Sequence, residues 1–365
     1  MIPHHIWADD LTGAAEVADL LAARTGRTVS LALGDAEPAS ADIVVRDLDL
    51  RHTTDAAART ALRARLRHVP VTERIFLKID SQLHGPVAGL AGAMLDGGRS
   101  LVLCAANPTL GRVVIDGRHQ VPSATGPVTT SMTALLAAVP HQLLTRDDAR
   151  PTPGGEPLVL AADAQSEGDL DALASTAVDH GLDGAGAAAL LAALLGPAPA
   201  AAPAVSPPGG ALIAVVGSTE AAAHAQLDAA AAHPGVEVVE AHPRQLAEAI
   251  ATADEALRGG RSVVLSRSSG TDALTALTEV AATVIARRDA ARTVALLTGG
   301  HTARLVLDRL AITALTVIPG ALDAAVRLQA PSGLTVITKP GSYGSADAVV
   351  ALHESLHPVP HEEPR

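Results

Sequence analysis

Short apolar runs rich in Val, Ile and Leu alternate with longer Ala- and Leu-rich stretches along the chain. The short runs predict buried strands, which in the first half lie at 28–33, 43–47, 75–79, 101–104 and 158–161. Helical patterns follow several of them, at 14–24, 54–68, 86–96 and 167–195. Further strands are predicted in the second half at 211–216, 261–265, 293–297 and 334–338. Such alternation is typical of an α/β fold, in which helices flank a mainly parallel sheet.

One stretch interrupts this alternation. Residues 198–210, within the sequence GPAPAAAPAVSPPGG, repeat Pro and Gly, which disfavour both helix and strand. We therefore predict a linker at 198–210 between two domains, 1–197 and 211–365, each a mainly parallel sheet flanked by helices. A length of 365 residues is long for one domain and comfortable for two.

Composition narrows the function classes. The chain carries 27 Lys+Arg against 39 Asp+Glu, a formal net charge of −12, which argues against a nucleic-acid partner. Small anionic substrates stay compatible with this charge, because helix N-termini and a few cations act locally. Cys104 is the single cysteine, so an intrachain disulfide is excluded and a reducing compartment is indicated. The first residues lack a signal-peptide pattern, and no apolar run reaches the roughly 18 residues that span a bilayer. We expect a cytoplasmic protein without a membrane partner; homo-oligomerisation is left open.

Three predicted strands of the second half end in glycine-containing turns. The turns are VVGST (215–219), LLTGGHTA (296–303) and ITKPGSYGSAD (337–347). Ligands of open α/β sheets bind beyond the carboxyl ends of the strands, where glycine lets backbone N–H groups approach a phosphate. Lys339 would add a positive charge, and Ser218 and Thr302 could donate hydrogen bonds. Any one such turn is ordinary turn chemistry, but three in one domain favour a phosphate site.

Polar side chains also cluster at strand ends of the first half. Asp9 and Asp10 stand side by side in WADDLTGA, which raises three possibilities: a helix cap, a metal site or an active site. We expect Asp9 or Thr12 to cap the following helix, which leaves a carboxylate free for chemistry on a hydroxyl. His4, His5 and His301 lack the spacing of known metal motifs, so no protein metal site is predicted.

A second polar cluster follows the predicted strand 75–79. Asp80, Ser81 and His84 supply a carboxylate, a hydroxyl and an imidazole, a combination suited to a polyhydroxy substrate; an N-cap role for Asp80–Ser81 is the alternative. Arg51 and Arg112 are candidates for a carboxylate clamp, because guanidinium binds carboxylate in bidentate fashion. A solvated surface role is the alternative for either arginine.

Several motifs together carry a family resemblance. In order along the chain they are ADDLTGA (8–14), KIDSQLHGPV (78–87), NPTLGRVVIDGRH (107–119), VVGST with Gln226, LLTGGHTA (296–303), IPG (318–320) and ITKPGSYG (337–344). With these motifs the sequence resembles the four-carbon acid sugar kinases, the ATP-dependent kinases of threonate, erythronate and 3-oxo-tetronate.

The resemblance implies an N-terminal domain that binds a sugar acid and a C-terminal domain that binds ATP with Mg²⁺. It implies a hydroxyl of a small acid as the phosphoryl acceptor and either Asp10 or Asp80 as the catalytic base. The remaining substrate-binding candidates are Asp9, Arg51, Lys78, Ser81, His84 and Arg112. The ATP-binding candidates are Ser218, Thr298, Gly299, Gly300, His301, Thr302, Lys339, Gly341 and Gly344.

The sequence departs from the family pattern at three places. The family usually has Ser-Thr-Leu-Arg-Gly where this chain has Ser81-Gln82-Leu83-His84-Gly85, so an always-charged arginine is replaced by an imidazole. His301 replaces the acidic residue that usually follows Gly-Gly. Residues 105–108 replace an aromatic-containing stretch. These changes motivate two alternatives, a kinase of a different small acid and a catalytically silent nucleotide-binding or metabolite-binding homologue.

Overall fold

A computed structural model of the chain describes residues 2–145, 155–197, 210–320, 325–341 and 344–357. Apart from Gly210, the predicted linker 198–210 lies outside the described residues. Among the described residues, every helix is too short or too polar to cross a membrane.

The strands of the described residues, in chain order, are β1 (His5–Ala8), β2 (Val29–Leu33), β3 (Ile43–Asp47), β4 (Ile75–Lys78), β5 (Leu101–Cys104), β6 (Val113–Ile115), β7 (Arg118–Val121), β8 (Val128–Ser131), β9 (His141–Leu144), β10 (Val159–Ala162), β11 (Asp183–Gly186), β12 (Ala211–Val216), β13 (Val236–Ala241), β14 (Ser262–Arg267), β15 (Thr293–Thr298), β16 (Ala314–Val317), β17 (Val326–Gln329) and β18 (Thr335–Lys339).

The α-helices of the same residues are α1 (Leu11–Thr25), α2 (Asp55–Leu66), α3 (Val87–Asp96), α4 (Met132–Leu135), α5 (Glu167–Asp179), α6 (Ala188–Leu195), α7 (Ala221–Ala232), α8 (Leu246–Arg258), α9 (Ala273–Ala286), α10 (Gly300–Arg309) and α11 (Ala348–Leu356). Short 3₁₀ turns cover Pro108–Leu110 and Ala290–Arg292.

The first compact unit comprises Met1–Gly26 and Val44–Ala200. Its described strands have the order β3-β1-β4-β11-β5-β10-β9, and they pair with one another in parallel. Strands β6, β7 and β8 form a separate antiparallel sheet. The central strand β4 reads IFLK and is buried along its length, which is the pattern of a strand covered on both faces.

The second unit comprises Arg27–Ile43 and Ala201–Arg365. Strands β13-β14-β12-β15-β18 are parallel, and β17, β16 and β2 extend that sheet in antiparallel fashion. The apolar core beneath β12, β14, β15 and β18 is aliphatic, with Leu212, Val264, Leu296 and Ile337 packed together. Both units are thus mainly parallel sheets flanked by helices, and the predicted α/β fold class is confirmed.

Two of the sequence predictions, for residues 27–43 and for a helix at 167–195, differ from the structure. Residues 27–43, predicted within the first domain, cluster with the second unit because β2 pairs with β16. The predicted helix 167–195 is wrong as a single element, because α5 ends and β11 intervenes before α6. Gly181 turns the chain with a φ of 60°. A Cβ at Gly186 would lie 2.0 Å from the carbonyl oxygen of Cys104, so only glycine fits between the neighbouring strands.

A buried ion pair joins β11 to the loop before β5. Arg99 Nη1 lies 3.1 Å from Asp183 Oδ2, and the two side chains are 2% and 1% exposed. The guanidinium also donates to the carbonyl oxygens of Val69, Pro70 and Glu73, and Asp183 Oδ1 accepts from the N–H of Ile75 at 2.8 Å. Both Nη atoms of Arg99 and both carboxylate oxygens of Asp183 therefore have hydrogen-bond partners.

We expect Asp183→Ala to lower the free energy of unfolding by about 3–5 kcal/mol, because the buried Arg99 charge loses its partner. Urea denaturation measures this change. Asp96→Ala is the matched control, because Asp96 pairs with the partly exposed Arg59 and such pairs contribute less than about 1 kcal/mol. Equal losses in the two variants would contradict the special role of the buried pair.

Candidate active site

Two polar segments meet at the carboxyl edge of the first sheet. Strand β1 pairs in parallel with β3 and β4, and Ala8 aligns with Asp47 on one side and Lys78 on the other. The chain leaves β1 through Asp9–Asp10 and leaves β4 through Asp80–Ser81. Because parallel strands end at one edge, this topology brings the two predicted clusters together at the usual ligand position of such folds.

Arg51 holds the adjacent acids Asp9 and Asp10 together. Its Nε lies 3.0 Å from Asp9 Oδ2, and its Nη2 lies 2.7 Å from Asp9 Oδ1 and 2.9 Å from Asp10 Oδ1. Burial raises the pKa of Asp9 above its ordinary value, and Arg51 offsets part of that effect. Burial alone would lower the pKa of Arg51, but the charges of Asp9 and Asp10 raise it overall. Arg51 is thus committed to two carboxylates of the protein itself.

Asp10 caps helix α1. Its Oδ1 accepts from the N–H of Gly13 at 2.8 Å, and its Oδ2 accepts from the hydroxyl of Thr12 at 2.6 Å. The expectation that Asp9 or Thr12 would be the cap is therefore wrong. The helix begins at Leu11, so the residue directly before it is the one in extended conformation and in reach of the free N–H groups.

Asp80 is the most accessible of the three carboxylates, with its side chain 15% exposed against 10% for Asp10 and 1% for Asp9. Its Oδ2 lies 2.8 Å from Nδ1 of His84, whose side chain is 69% exposed. Burial alone would raise the pKa of Asp80, but Arg51, the backbone N–H of Gln82, His84 and Lys78 together lower it below its ordinary value. Asp80 is therefore ionised at neutral pH.

Lys78 and Glu16 form a pair beside these aspartates. Lys78 Nζ lies 3.1 Å from Glu16 Oε2 and 3.1 Å from the carbonyl oxygen of Ile79, and the lysine side chain is 4% exposed. A Cβ at Gly13 would lie 3.3 Å from this Nζ and 2.9 Å from Asp10 Oδ1, so glycine leaves room for both groups. Sequence reasoning missed Glu16, which reaches Lys78 from α1.

The loop after β5 brings Arg112 to the same place. The turn Pro108–Leu110 ends at Gly111 with a φ of 68°, and Asn107 and Arg112 pair across it. From there Arg112 donates a hydrogen bond to the hydroxyl of Ser81. The first unit thus gathers Asp9, Asp10, Arg51, Lys78 and Glu16 with a second group formed by Asp80, Ser81, His84 and Arg112.

The predicted ATP-binding residues of the second unit also meet at one sheet edge. Strand β15 lies between β12 and β18, and Thr298 aligns with Val216 on one side and Lys339 on the other. Helix α10 starts directly after β15, with Gly299 at its N-cap in a left-handed conformation (φ 86°). The exposed His301 lies in the first turn of that helix, near its positive dipole end.

The turns approach each other so closely that side chains are excluded. A Cβ at Gly217 would lie 2.1 Å from Thr302 Oγ1, and a Cβ at Gly341 would lie 2.6 Å from Ser218 Oγ. Thr298 differs from the other candidates, because its hydroxyl donates to the carbonyl oxygen of Val215 at 3.0 Å within the sheet. The glycines therefore leave backbone N–H groups and two hydroxyls around the start of α10.

Lys339 is buried at the end of β18, with 3% of its surface exposed. Burial lowers the pKa of its ammonium to about 8. Its Nζ donates to the carbonyl oxygen of Pro340 at 3.3 Å, and a Cβ at Gly344 would lie 4.0 Å from it. A buried ammonium beside a glycine turn, at the sheet edge where α10 also begins, is a donor set that fits phosphate. Among the described residues, no group of three or more His, Cys, Asp or Glu could hold a metal ion.

Comparisons with known proteins match a separate family model to each half of the chain. Residues 5–142 match the family model of a sugar-binding N-terminal domain, and residues 213–349 match that of a nucleotide-binding C-terminal domain. The fold and the two sets of strand ends thus define a two-domain protein of the sugar-binding and nucleotide-binding class.

A D-threonate kinase of Cupriavidus necator is 30% identical to the chain, across 94% of this chain and 95% of that protein. The protein belongs to the four-carbon acid sugar kinase family. Two solved structures share its fold at 18% identity. A Haemophilus influenzae protein has a TM-score of 0.67 and covers 96% of this chain and 99% of its own. A putative tRNA synthase from Salmonella typhimurium has a TM-score of 0.71 and covers 95% of this chain and 97% of its own.

Proposed function

We propose that the protein is an ATP-dependent kinase that phosphorylates a hydroxyl of a small, about four-carbon, sugar acid, with Mg²⁺ entering bound to ATP. The observation that carries this proposal is the phosphate-fitting edge of the second unit, where Lys339 aligns with Thr298 just before the start of α10 and its buried ammonium lies by Gly344. The relative named D-threonate kinase supports a sugar acid as the acceptor.

The proposed base is Asp80 rather than Asp10. Asp10 already accepts from Gly13 and Thr12 and pairs with Arg51, so its oxygens are engaged in holding the fold. Asp80 has its own close partner in His84, which is largely exposed and free to move aside for a substrate hydroxyl. Its lowered pKa keeps it ionised and ready to accept a proton.

In the proposed reaction ATP supplies the γ-phosphoryl group, with Mg²⁺ held by its phosphates rather than by a protein cage. The substrate hydroxyl oxygen bonds to the γ-phosphorus, its proton passes to Asp80, and the bond to the β-phosphate oxygen breaks to release ADP. Lys339, Ser218, Thr302 and the backbone after Gly299 bind the phosphates and offset their charge.

The position of His84 favours a second candidate, a kinase of a different small acid. The imidazole pairs with Asp80 at 2.8 Å, where the resembling family usually has an arginine. The two ring nitrogens of an imidazole point in different directions and cannot grip one carboxylate together, whereas arginine offers it a fixed bidentate fork. The acid bound here would then present fewer anionic oxygens to position 84.

The test is ADP release by the purified protein, coupled to a spectroscopic assay, over a panel of C3–C5 hydroxy and oxo acids. We expect ADP formation that depends on both ATP and one acid, with kcat on the order of 1–100 s⁻¹. Mass spectrometry should find the phosphorylated acid. Turnover only with acids other than threonate and erythronate would favour the second candidate. Calorimetric ATP binding without turnover on any acid would refute both and indicate a silent nucleotide-binding homologue.

A further inference from the structure

One fully buried polar side chain in the first unit has no role in the fold or in the reaction as described so far. His119 lies on β7 and is 0% exposed. Neither of its ring nitrogens makes a hydrogen bond of ordinary geometry with a described group. Buried polar groups are normally paired, so a histidine retained in this state calls for an explanation.

The surroundings of His119 belong to the candidate acid site. In the three-stranded sheet it lies opposite Val114, which itself pairs with Ala164 and so ties the small sheet to the main one. Arg112 directly precedes β6 and lies two residues before Val114, so in extended chain both are on the face of His119. The ring is also close enough to Asp80, Arg112 and the Ser81 backbone to respond to them electrostatically.

These neighbours keep the ring uncharged. Burial and the Arg112 charge lower the pKa of His119 below its ordinary value, against smaller opposing effects from the Ser81 backbone and Asp80. A neutral imidazole has one N–H donor and one acceptor nitrogen. A hydroxyl group likewise can both donate and accept a hydrogen bond, whereas a carboxylate can only accept. The neutral ring therefore matches a hydroxyl better than a carboxylate.

We propose that His119 is a specificity residue that hydrogen-bonds the hydroxyl next to the carboxylate of the bound acid, while Arg112 and Ser81 bind the carboxylate. Arg51 does not fill that carboxylate role, because Asp9 and Asp10 occupy its guanidinium. In the absence of substrate Arg112 and Ser81 bond to each other. A carboxylate that takes both donors separates them and gives its neighbouring hydroxyl access to the ring. This inference rests on the proposed function.

The test compares His119→Leu and His119→Gln with wild type by calorimetric binding of hydroxy acids, which needs no turnover. We expect His119→Leu to weaken acid binding about tenfold, the loss of one good hydrogen bond, and His119→Gln to recover part of it. ATP binding should stay unchanged. The thermal midpoint of His119→Leu should equal or exceed that of wild type, because an unpaired polar group leaves the core. His141→Gln is the matched control, since His141 lies at the opposite, amino end of the strands and bonds to the carbonyl oxygen of Val139.

An acid without the hydroxyl gives a second, independent readout. Wild type should bind 3,4-dihydroxybutanoate more weakly than 2,3,4-trihydroxybutanoate, and His119→Leu should no longer discriminate between them. Unchanged acid binding and discrimination in both His119 variants would overturn the inference while leaving the kinase proposal intact. Acid binding that depends on His119 without ADP formation would refute the kinase and support the inference. A wild type that binds none of the acids would overturn both.

Discussion

Asp80→Asn is expected to lower kcat for the acid substrate by about 10²–10⁴-fold, the usual contribution of a general base. The amide keeps the size of the side chain and an oxygen for the N–H of Gln82, but it cannot take up the proton of the hydroxyl. The KM for ATP should stay unchanged, because the nucleotide residues belong to the other unit. Steady-state kinetics with saturating ATP measure the effect, and circular dichroism checks the fold.

Asp10→Asn is the comparison that assigns the base. Asparagine caps a helix about as well as aspartate does, so the main expected effect is a loss of stability from the weakened pair with Arg51. A large loss of kcat in Asp10→Asn together with normal turnover in Asp80→Asn would reverse the assignment.

Because the pKa of Asp80 is lowered, wild-type kcat should not decline on the acidic side until the pH falls below the ordinary range of carboxylates.

Strands buried on both faces were the most predictable elements of the fold. The runs LVLC and ALIAVV are strands over the predicted residues because β-branched and aliphatic side chains fill both faces of a parallel sheet. Strand β11 reads DGAG and escaped prediction, because Gly186 is required by the close approach of Cys104 and Gly184 lies against Phe76, whereas glycine has little strand propensity. The assignment of 27–43 to the second unit also escaped prediction, since β2 pairs with β16 nearly three hundred residues later.

The location of the site could be predicted from the sequence, but the role of each residue in it could be predicted less well. Residues after parallel strands share one edge, which is why Asp9, Asp10 and Asp80 could be grouped from sequence. Which acid caps α1 depends on a one-residue difference in where the helix begins. Arg51 pairs with Asp9 and Asp10 rather than with a ligand. This pairing depends on how side chains pack beyond the ends of β1 and β3, which the strand patterns do not reveal.

One compositional signal points to the charged centres of both units. The chain has 27 Lys and Arg residues, of which two are lysines, Lys78 and Lys339; the others are arginines. Each is the last residue of a strand, β4 or β18, and each is buried. A chain that otherwise uses arginine has kept lysine where a compact point charge fits and a planar guanidinium does not. Conservative replacement by arginine should therefore fail at these two positions.

Lys339→Met is accordingly expected to lower kcat/KM for ATP on the order of 10²–10³-fold, the scale of losing one donor that stabilises developing charge. Lys339→Arg should lose most of the same activity, because its larger head does not fit the buried space beside Gly344. Acid binding measured without ATP should stay at the wild-type value in both variants. A Lys339→Met enzyme with wild-type ATP kinetics would remove Lys339 from the phosphate site.

The pH dependence of folding supplies an activity-independent check on the same residue. The folded-state pKa of Lys339 is about 8, below the ordinary value of 10.5, so between these values the unfolded chain binds more protons than the folded one. The free energy of unfolding of wild type should therefore gain a rising contribution from about pH 8 to 10.5, and that contribution should be absent from Lys339→Met. In the same range wild-type ATP affinity should fall, because the ammonium that binds phosphate is lost. If the free energy of unfolding changed with pH in the same way in wild type and in Lys339→Met, the ammonium would not be held in a desolvated site. The positive charge proposed to bind phosphate would then have to come from another residue.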